Sequence, residues 1–224
     1  MGRFNNGIIF TNQKCIACNK CITNCNVFGA NICVSEGKKD FIVTDSNKCT
    51  LCGSCIDCCP QNARDYHDDT NAFFEALKKG EKITVIISPT FKFHYESELN
   101  QIIGYLKSLG ADKVYDASFG EQIAVWATAQ YIKDNFNKPS DDRAFIANNC
   151  PSIINRIEKY HYGLIKKIIP VENPINCAKI YLNKYLNDSN KIAYLGPCIA
   201  YKIESKKGDN SKVDFILTYN TFMK

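Results

Sequence analysis

From residue 81 onward, apolar positions recur with two alternating periods, one typical of strands and one of helices. Residues 82–88 form an apolar, β-branched run, which predicts a buried strand. Residues 98–109 carry apolar side chains at helical spacing and end before Gly110. The same criteria predict further strands at 113–117, 143–147, 191–195 and 214–218, and helices at 71–79, 121–136, from Pro151 onward and at 175–186. This alternation indicates an α/β domain with a mostly parallel sheet, in whose core we expect Trp126.

The first 70 residues contain an internal repeat instead, because residues 14–25 match residues 48–59 at an offset of 34. Between the two copies, residues 40–44 predict a short strand that residues 7–10 could pair with. The polar stretch 61–70 marks a boundary. We therefore predict two domains, one over 1–70 and the α/β domain over 71–224.

Both copies of the repeat carry the same cysteine spacing, C-x2-C-x2-C-x3-C, and the second copy ends in Pro60. Bacterial dicluster ferredoxins use this pattern, in which three closely spaced thiolates and a fourth from the other copy hold each cubane. The prediction for residues 1–70 is an α+β dicluster ferredoxin-like domain that holds two 4Fe–4S clusters. Their ligands are Cys15, Cys18, Cys21 and Cys59 for one cluster, and Cys49, Cys52, Cys55 and Cys25 for the other. A zinc ribbon is the weighed alternative, but zinc needs only four ligands.

Five further cysteines lie outside this pattern. We expect Cys33 and Cys58 to behave as small buried apolar residues, and Cys177 to be buried. Cys150 and Cys198 each follow the end of a predicted strand, as Ser88 does. Ligands of open parallel sheets bind at that edge, so both thiols are candidates for one site, although two unrelated buried cysteines explain them equally well.

Composition adds limits on partners and location. The formal charge of +5 falls to about +1 if two oxidised clusters, each carrying −2 with its thiolates, are bound. This balance, with four arginines among 28 basic residues, gives no reason to expect a nucleic-acid partner. No apolar run approaches the ~18 residues of a membrane span, and no export signal is evident. We expect a cytoplasmic protein of an anaerobic setting, without a membrane partner, that exchanges electrons with a redox partner protein.

The order of parts resembles the iron-only (FeFe) hydrogenase family, large subunit. Residues 113–120 (K-V-Y-D-A-S-F-G) resemble its K-V-[FY]-D-T-[SN]-F-G, and residues 213–218 (V-D-F-I-L-T) resemble its V-D-x-V-L-T. Residues 87–90, 147–151 and 195–204 stand where the family has its first strand end, its T-S-C-C-P motif and its M-P-C-x-x-K-[KR]-x-E motif. The resemblance implies that Cys150 and Cys198 are ligands of a third 4Fe–4S or hydrogenase-type cluster.

Several positions depart from the family's motifs. Asn149 stands where the resemblance implies the proton-donating cysteine, Tyr201 where it implies a lysine at the diiron site, and Gly196 where it implies a methionine. Ala127 and Thr128 align with a glutamate pair on the family's proton route. The family's last two cubane ligands lie in a motif, E-x3-C-x2-G-C, that this sequence lacks. We therefore assign no catalytic residue and leave the enzyme question open, expecting little or no hydrogen turnover.

Three functional hypotheses follow. The first is an iron–sulfur electron-transfer protein whose hydrogenase-like domain is degenerate or partial, with a role in redox or hydrogen sensing. The second is the N-terminal part of an active iron-only hydrogenase. The third is a plain ferredoxin-type electron carrier or docking module.

Overall fold

The computed structural model describes residues 7–136, 144–206 and 213–224, with the main chain alone over 204–206. The chain divides into two compact units, residues 1–68 and 69–224. No helix in the described residues combines the length and the apolar character needed to cross a membrane.

The first unit contains short elements around the two repeated loops. In chain order they are β1 (Ile9–Thr11), α1 (Lys20–Thr23), β2 (Asn31–Glu36), β3 (Lys39–Thr44), α2 (Ser54–Asp57) and β4 (Arg64–Tyr66). β2 and β3 form an antiparallel hairpin in which Asn31 lies opposite Thr44, and Gly37 has a positive φ of 63° in its turn. β1 pairs antiparallel with β4. The predicted strand at 40–44 is thus present, but its expected pairing with residues 7–10 is wrong.

The second unit is an α/β unit with helices on both faces of a sheet. Its elements are α3 (Thr70–Lys78), β5 (Ile83–Ile87), α4 (Thr90–His94), α5 (Leu99–Ser108), β6 (Lys113–Asp116), α6 (Ser118–Asn135), α7 (Pro151–Tyr160), α8 (Pro174–Tyr185), β7 (Lys191–Gly196), β8 (Phe215–Thr218) and α9 (Tyr219–Phe222), with 3₁₀ segments at Tyr162–Lys167 and Ile199–Lys206. In the described residues the sheet has four parallel strands in the order β6-β5-β7-β8. The predicted α/β class with a mostly parallel sheet is confirmed.

The predicted strand at 143–147 is wrong in its described part, 144–147, while Arg143 lies outside the described residues. Ile146 makes a single parallel bridge to Ile168 and takes no place in the four-stranded sheet. Its N–H donates to the Lys167 carbonyl oxygen at 2.9 Å. The apolar run here is short and meets Asn148 and Asn149 at once, so it cannot extend into a ladder.

The alternating side chains of the strands build two cores, one on each face of the sheet. Val85, Ile87 and Leu195 face α3, α4 and α5, whereas Ile86 and Ile192 face α8. α6 contacts α8 very closely. A Cβ at Gly120 would lie 2.6 Å from the Cβ of Ala178 and would also strike the Pro174 carbonyl oxygen.

Where α6 lies closest to α8 it therefore carries small residues, whereas Val125 and Trp126 are exposed. Trp126 is 70% exposed, so the expectation that it packs in the core is wrong. Gly120 and Ala124 are the buried residues of this helix, because the short distance to α8 leaves no room for a bulky side chain between them.

Asp188, at the amino edge of the sheet, interacts with β5, with β6 and with the residues just before β7. Its side chain accepts hydrogen bonds from the Thr84 hydroxyl at 2.8 Å and the Asn190 N–H at 3.1 Å, and it forms an ion pair with Lys113 at 3.2 Å. The carboxyl is almost fully buried, so these partners replace the water that it loses on folding.

Candidate metal centres

Two cavities in the first unit are each lined by four cysteines. Cys15, Cys18, Cys21 and Cys59 line one of them. Cys25, Cys49, Cys52 and Cys55 line the other. Each cavity thus receives three cysteines from one copy of the repeat and one from the other copy. Cys33 and Cys58 line neither of these two cavities.

The two repeated loops have the same backbone, which explains how they present their thiols alike. Ala17 and Leu51, 34 positions apart, have φ values of 51° and 58°. Asn19 and Gly53, also 34 apart, have φ values of 61° and 84° and precede α1 and α2. Left-handed backbone is costly for alanine and leucine, so it occurs here because the turn around the cavity demands it.

Main-chain N–H groups point at the thiols. The N–H of Leu51 donates to Cys49 Sγ and that of Ala63 to Cys59 Sγ, both at 3.3 Å. Such bonds stabilise a thiolate and, in iron–sulfur proteins, the sulfur ligands of the cluster. The Leu51–Cys49 bond closes within the loop before α2, and the Ala63–Cys59 bond forms in the turn after α2.

Burial governs the pKa values of the inner thiols. Desolvation raises the pKa of Cys21 to about 11 although the charge of Arg64 opposes it, and desolvation likewise raises that of Cys49 to about 11. At Cys59, burial raises the pKa but the N–H groups of residues 61, 63 and 64 and the Arg64 charge outweigh it, so the pKa is lowered. Cys21 and Cys49 are therefore neutral thiols at pH 7. They must lose their protons to bind metal, so metal binding releases protons.

The donor set fits a polynuclear cluster. All thirteen cysteines are free thiols. Within the described residues, no three His, Cys, Asp or Glu side chains converge on a point where one metal ion could sit. The eight repeat cysteines instead line two cavities from four sides, which is the arrangement that the corner irons of a cubane require.

Cys33, Cys58 and Cys177 differ in how far they are exposed to solvent. Cys33 is exposed on β2 and Cys58 is half-buried, so the expectation that both are buried apolar residues is wrong. Cys33 points outward because the β2–β3 hairpin buries little of this part of the strand. Cys177 is buried, as predicted, and its Sγ donates to the Glu172 carbonyl oxygen at 3.4 Å.

Cys150 and Cys198 lie on elements that pack against each other. Cys150 is the last residue before α7, and Cys198 immediately precedes the 3₁₀ segment Ile199–Lys206, which contacts α7. Both thiols are half-buried, and Cys198 Sγ accepts the Ala200 N–H at 3.4 Å. Ser88 follows β5 and Cys198 follows β7 at the carboxyl edge of the sheet, where the Ser88 N–H donates to the Leu195 carbonyl oxygen at 2.9 Å. Cys150 does not follow a strand of this sheet.

A packed aromatic pair occupies the neighbouring positions. The fully buried ring of Tyr194 lies across Gly196, where a Cβ would come within 2.7 Å of Tyr194 Cζ and 2.9 Å of its hydroxyl oxygen. The Tyr201 ring packs edge-on against Tyr194 with centroids 5.1 Å apart, and its hydroxyl lies 3.5 Å from the Asn149 carbonyl oxygen. Three positions that depart from the hydrogenase motifs therefore belong to one packed group. A methionine at 196 does not fit beside this ring, and the residues present do not fit a hydrogenase-type diiron site.

Sequence reasoning missed two groups, Arg64 and the Tyr194–Tyr201 pair. Arg64 is 3% exposed, lines the Cys15 cavity and reaches Cys55 Sγ with its guanidinium at 3.8 Å. The available signal was its position: it is one of four arginines and lies five residues after Cys59. The aromatic pair has no short-range signal, since residues on a strand and on a separate helical segment form it.

An α/β unit with these motifs, joined in one chain to eight cysteines in duplicated loops, defines a class of iron–sulfur proteins related to hydrogenases. The family described as "Iron only hydrogenase large subunit, C-terminal domain" matches residues 81–224, and the chain belongs to this family. The resemblance inferred from the motifs is confirmed. Membership implies iron–sulfur clusters and hence metal binding.

Relatives of two kinds align with the chain. The "NADP-reducing hydrogenase subunit HndD" of Solidesulfovibrio fructosivorans is 22% identical over 94% of this chain and 42% of its own length. The "Probable cytosolic Fe-S cluster assembly factor AGAP009023" of Anopheles gambiae is 23% identical over 93% and 44%. The "Cytosolic Fe-S cluster assembly factor NAR1 homolog" of Schizosaccharomyces japonicus is 23% identical over 73% and 38%. The chain thus spans less than half the length of these relatives. The assembly factors are a group that the sequence reasoning did not anticipate.

Proposed function

We propose that the first unit is a dicluster ferredoxin-like domain that holds two 4Fe–4S clusters and transfers electrons. The observation that carries the proposal is the pair of cavities, each lined by three cysteines from one copy of the repeat and one from the other. When bound, such a cluster takes up and releases one electron at a time. The cysteines hold the irons, and the N–H groups of Leu51 and Ala63 stabilise ligand sulfurs.

Exposure supports a redox partner protein. Cys18 and Cys52, which correspond to each other in the repeat, are both exposed. Each cluster would therefore have one ligand at the surface, which gives a partner protein a short path for an electron. We keep the expectation of no nucleic-acid or membrane partner. We propose a cytoplasmic location, because the assembly factors among the relatives are named cytosolic.

The second unit is, in this proposal, a degenerate hydrogenase-like domain with little or no hydrogen turnover. Asn149 carries a carboxamide, which cannot donate and regain a proton as a thiol does. The space beside it is filled by Tyr194 and Tyr201. Cys150 and Cys198 remain candidate ligands of a third cluster, which requires two more donors to complete a cubane.

Metal analysis after anaerobic reconstitution tests the proposal. We expect about eight irons and eight sulfides per chain, whereas a third cubane raises this to about twelve. Cys18→Ser and Cys52→Ser should each lower the iron content or change the spectrum of one cluster. Cys33→Ser is the matched control, because Cys33 is an exposed cysteine outside both cavities, and it should change nothing. A wild-type chain that stays free of iron, or binds zinc stoichiometrically, would refute the proposal.

Two further measurements examine the second unit. We expect no infrared bands from carbonyl or cyanide ligands and little or no hydrogen evolution with reduced viologen. A rapid rate would contradict the role given to Asn149 and would favour the hypothesis of an active hydrogenase part.

A second candidate function is cluster assembly, favoured by relatives with that name whose alignment covers about nine-tenths of this chain. Incubation of the reconstituted protein with an apo-ferredoxin separates the two functions. An electron-transfer protein keeps its clusters through repeated reduction and oxidation, and the acceptor stays colourless. Transfer of iron and sulfide to the acceptor at a rate above that of free iron and sulfide favours assembly.

A further inference from the structure

Arg64 is a buried cation held inside the first unit by partners from several strands. The guanidinium lies at the start of β4 and donates to oxygens of β1, β2 and β3. Its partners are the Thr11 and Thr44 hydroxyls, Ile42 O at 3.2 Å and Asn31 Oδ1 at 3.0 Å, with Cys55 Sγ at 3.8 Å. With this many contacts, the charge has a fixed place in the fold.

This one residue reaches ligands of both proposed clusters. Its guanidinium contacts Cys55, which lines the cavity of the second cluster. Arg64 also lines the cavity of the first cluster, together with Cys15, Cys21 and Cys59.

No carboxylate among the described residues forms an ion pair with the Arg64 guanidinium. Among the described residues, every contact of the guanidinium is to a neutral oxygen or a cysteine sulfur, and its Nε is buried without a hydrogen-bond partner. An isolated buried cation is costly, and a buried donor without a partner adds to that cost. Negative charge on the cysteine ligands and the groups they hold offsets both costs.

We propose that Arg64 raises the reduction potentials of both clusters. This inference rests on the proposed function, because it requires two clusters. A cluster becomes more negative by one charge on reduction, so a nearby permanent cation stabilises the reduced state. Arg64 is a positioning and tuning residue rather than a catalytic one.

The test is a redox titration of the reconstituted chain followed by electron paramagnetic resonance. For Arg64→Met we expect the equilibrium constant for reducing the Cys55-ligated cluster to fall about 10- to 100-fold, at about 59 mV per tenfold, with a smaller fall for the other cluster. Arg64→Lys should retain most of the potential. Lys39→Gln removes an exposed cation of the same unit and should leave both potentials near the wild-type values, because water screens its charge.

A second variant covers the case in which Arg64→Met does not fold. Asn31→Asp keeps the size and the acceptor oxygen but places a negative charge against the guanidinium, so it should lower the potentials as well. Thr11→Val removes one anchoring hydroxyl without changing charge and should leave the potentials close to wild type.

Unchanged potentials in Arg64→Met, or in Asn31→Asp if Arg64→Met does not fold, with two clusters still present, overturn this inference alone. A wild-type chain without two reducible clusters overturns this inference and the proposed function together.

Discussion

Gly196→Ala should destabilise the second unit because of one ring, that of Tyr194. The new methyl group would lie within 2.7 Å of Tyr194 Cζ and 2.9 Å of its hydroxyl oxygen, well inside van der Waals contact. The ring is fully buried and packs against Tyr201, so it has no free space to move into. Forcing an extra methyl group into a packed core costs about 1–3 kcal/mol. For a unit of this size, a cost of about 2 kcal/mol lowers the melting temperature by roughly 4–8 °C.

Urea denaturation of the reconstituted protein, followed by circular dichroism, measures the free energy of unfolding. Gly104→Ala is the matched control, because Gly104 is an exposed helical glycine with no atom within 4 Å of an added Cβ. That change should stabilise by about 0.5–1 kcal/mol through helix propensity.

Combining Gly196→Ala with Tyr194→Ala isolates the contact. The double variant should be more stable than the sum of the single effects predicts, by at least about 1 kcal/mol. If Gly196→Ala is neutral, or if the two changes are additive, the ring does not occupy the space above residue 196. The explanation given for the lost diiron site would then be wrong.

Three other perturbations test separate parts of the structure. Burial raises the pKa of Asp188, but its hydrogen bonds and ion pair outweigh burial, so the pKa is lowered. Its contribution to stability is therefore complete above the unfolded pKa of about 3.9 and is lost as the pH falls through the lower folded value. Asp188→Asn should remove that acid dependence in urea denaturation measured from pH 6 downward, and an unchanged profile would count against it. Gly120→Ala should cost more than Gly196→Ala in the same denaturation assay, because its Cβ strikes the Pro174 main chain, which cannot rotate away; an equal or smaller cost contradicts the packing of α6 on α8. Cys59→Ser should perturb the spectrum of the cluster bound by the first copy, and Cys25→Ser that of the second; the reverse pattern would refute the exchange of ligands between copies.

The sequence alone determined the division of the chain into a cysteine repeat and an α/β part. Hydrophobic period and cysteine spacing are local properties, so each short segment carries its own signal. The helix at 99–108 and the strands at 83–87 and 191–196 lie within a residue or two of their predicted bounds. Five short motifs in order, among them residues 113–120 and 213–218, indicated the family, which the comparison confirmed.

Pairing between segments was decided only by the tertiary structure. Residues 40–44 pair with the hairpin strand 31–36, and residues 9–11 pair with 64–66, because the repeated loops bring the two ends of the first unit together. The run 144–147 has strand-like composition, yet it makes only one bridge. A sequence forms a strand in a sheet only where another strand lies beside it and can pair with it over several residues.

The candidate sites show the same difference between what the sequence predicts and what only the tertiary structure decides. Cysteine spacing predicted eight candidate ligands, because three closely spaced thiols on one loop are a local feature of the sequence. Arg64 and the Tyr194 ring could not be predicted in this way. Arg64 acquires its role from partners 9 to 53 residues away in the chain, and Tyr194 is significant only because Gly196 and Tyr201 shape the space around it. Such roles depend on which surfaces the fold brings into contact, and that information is spread over the whole chain.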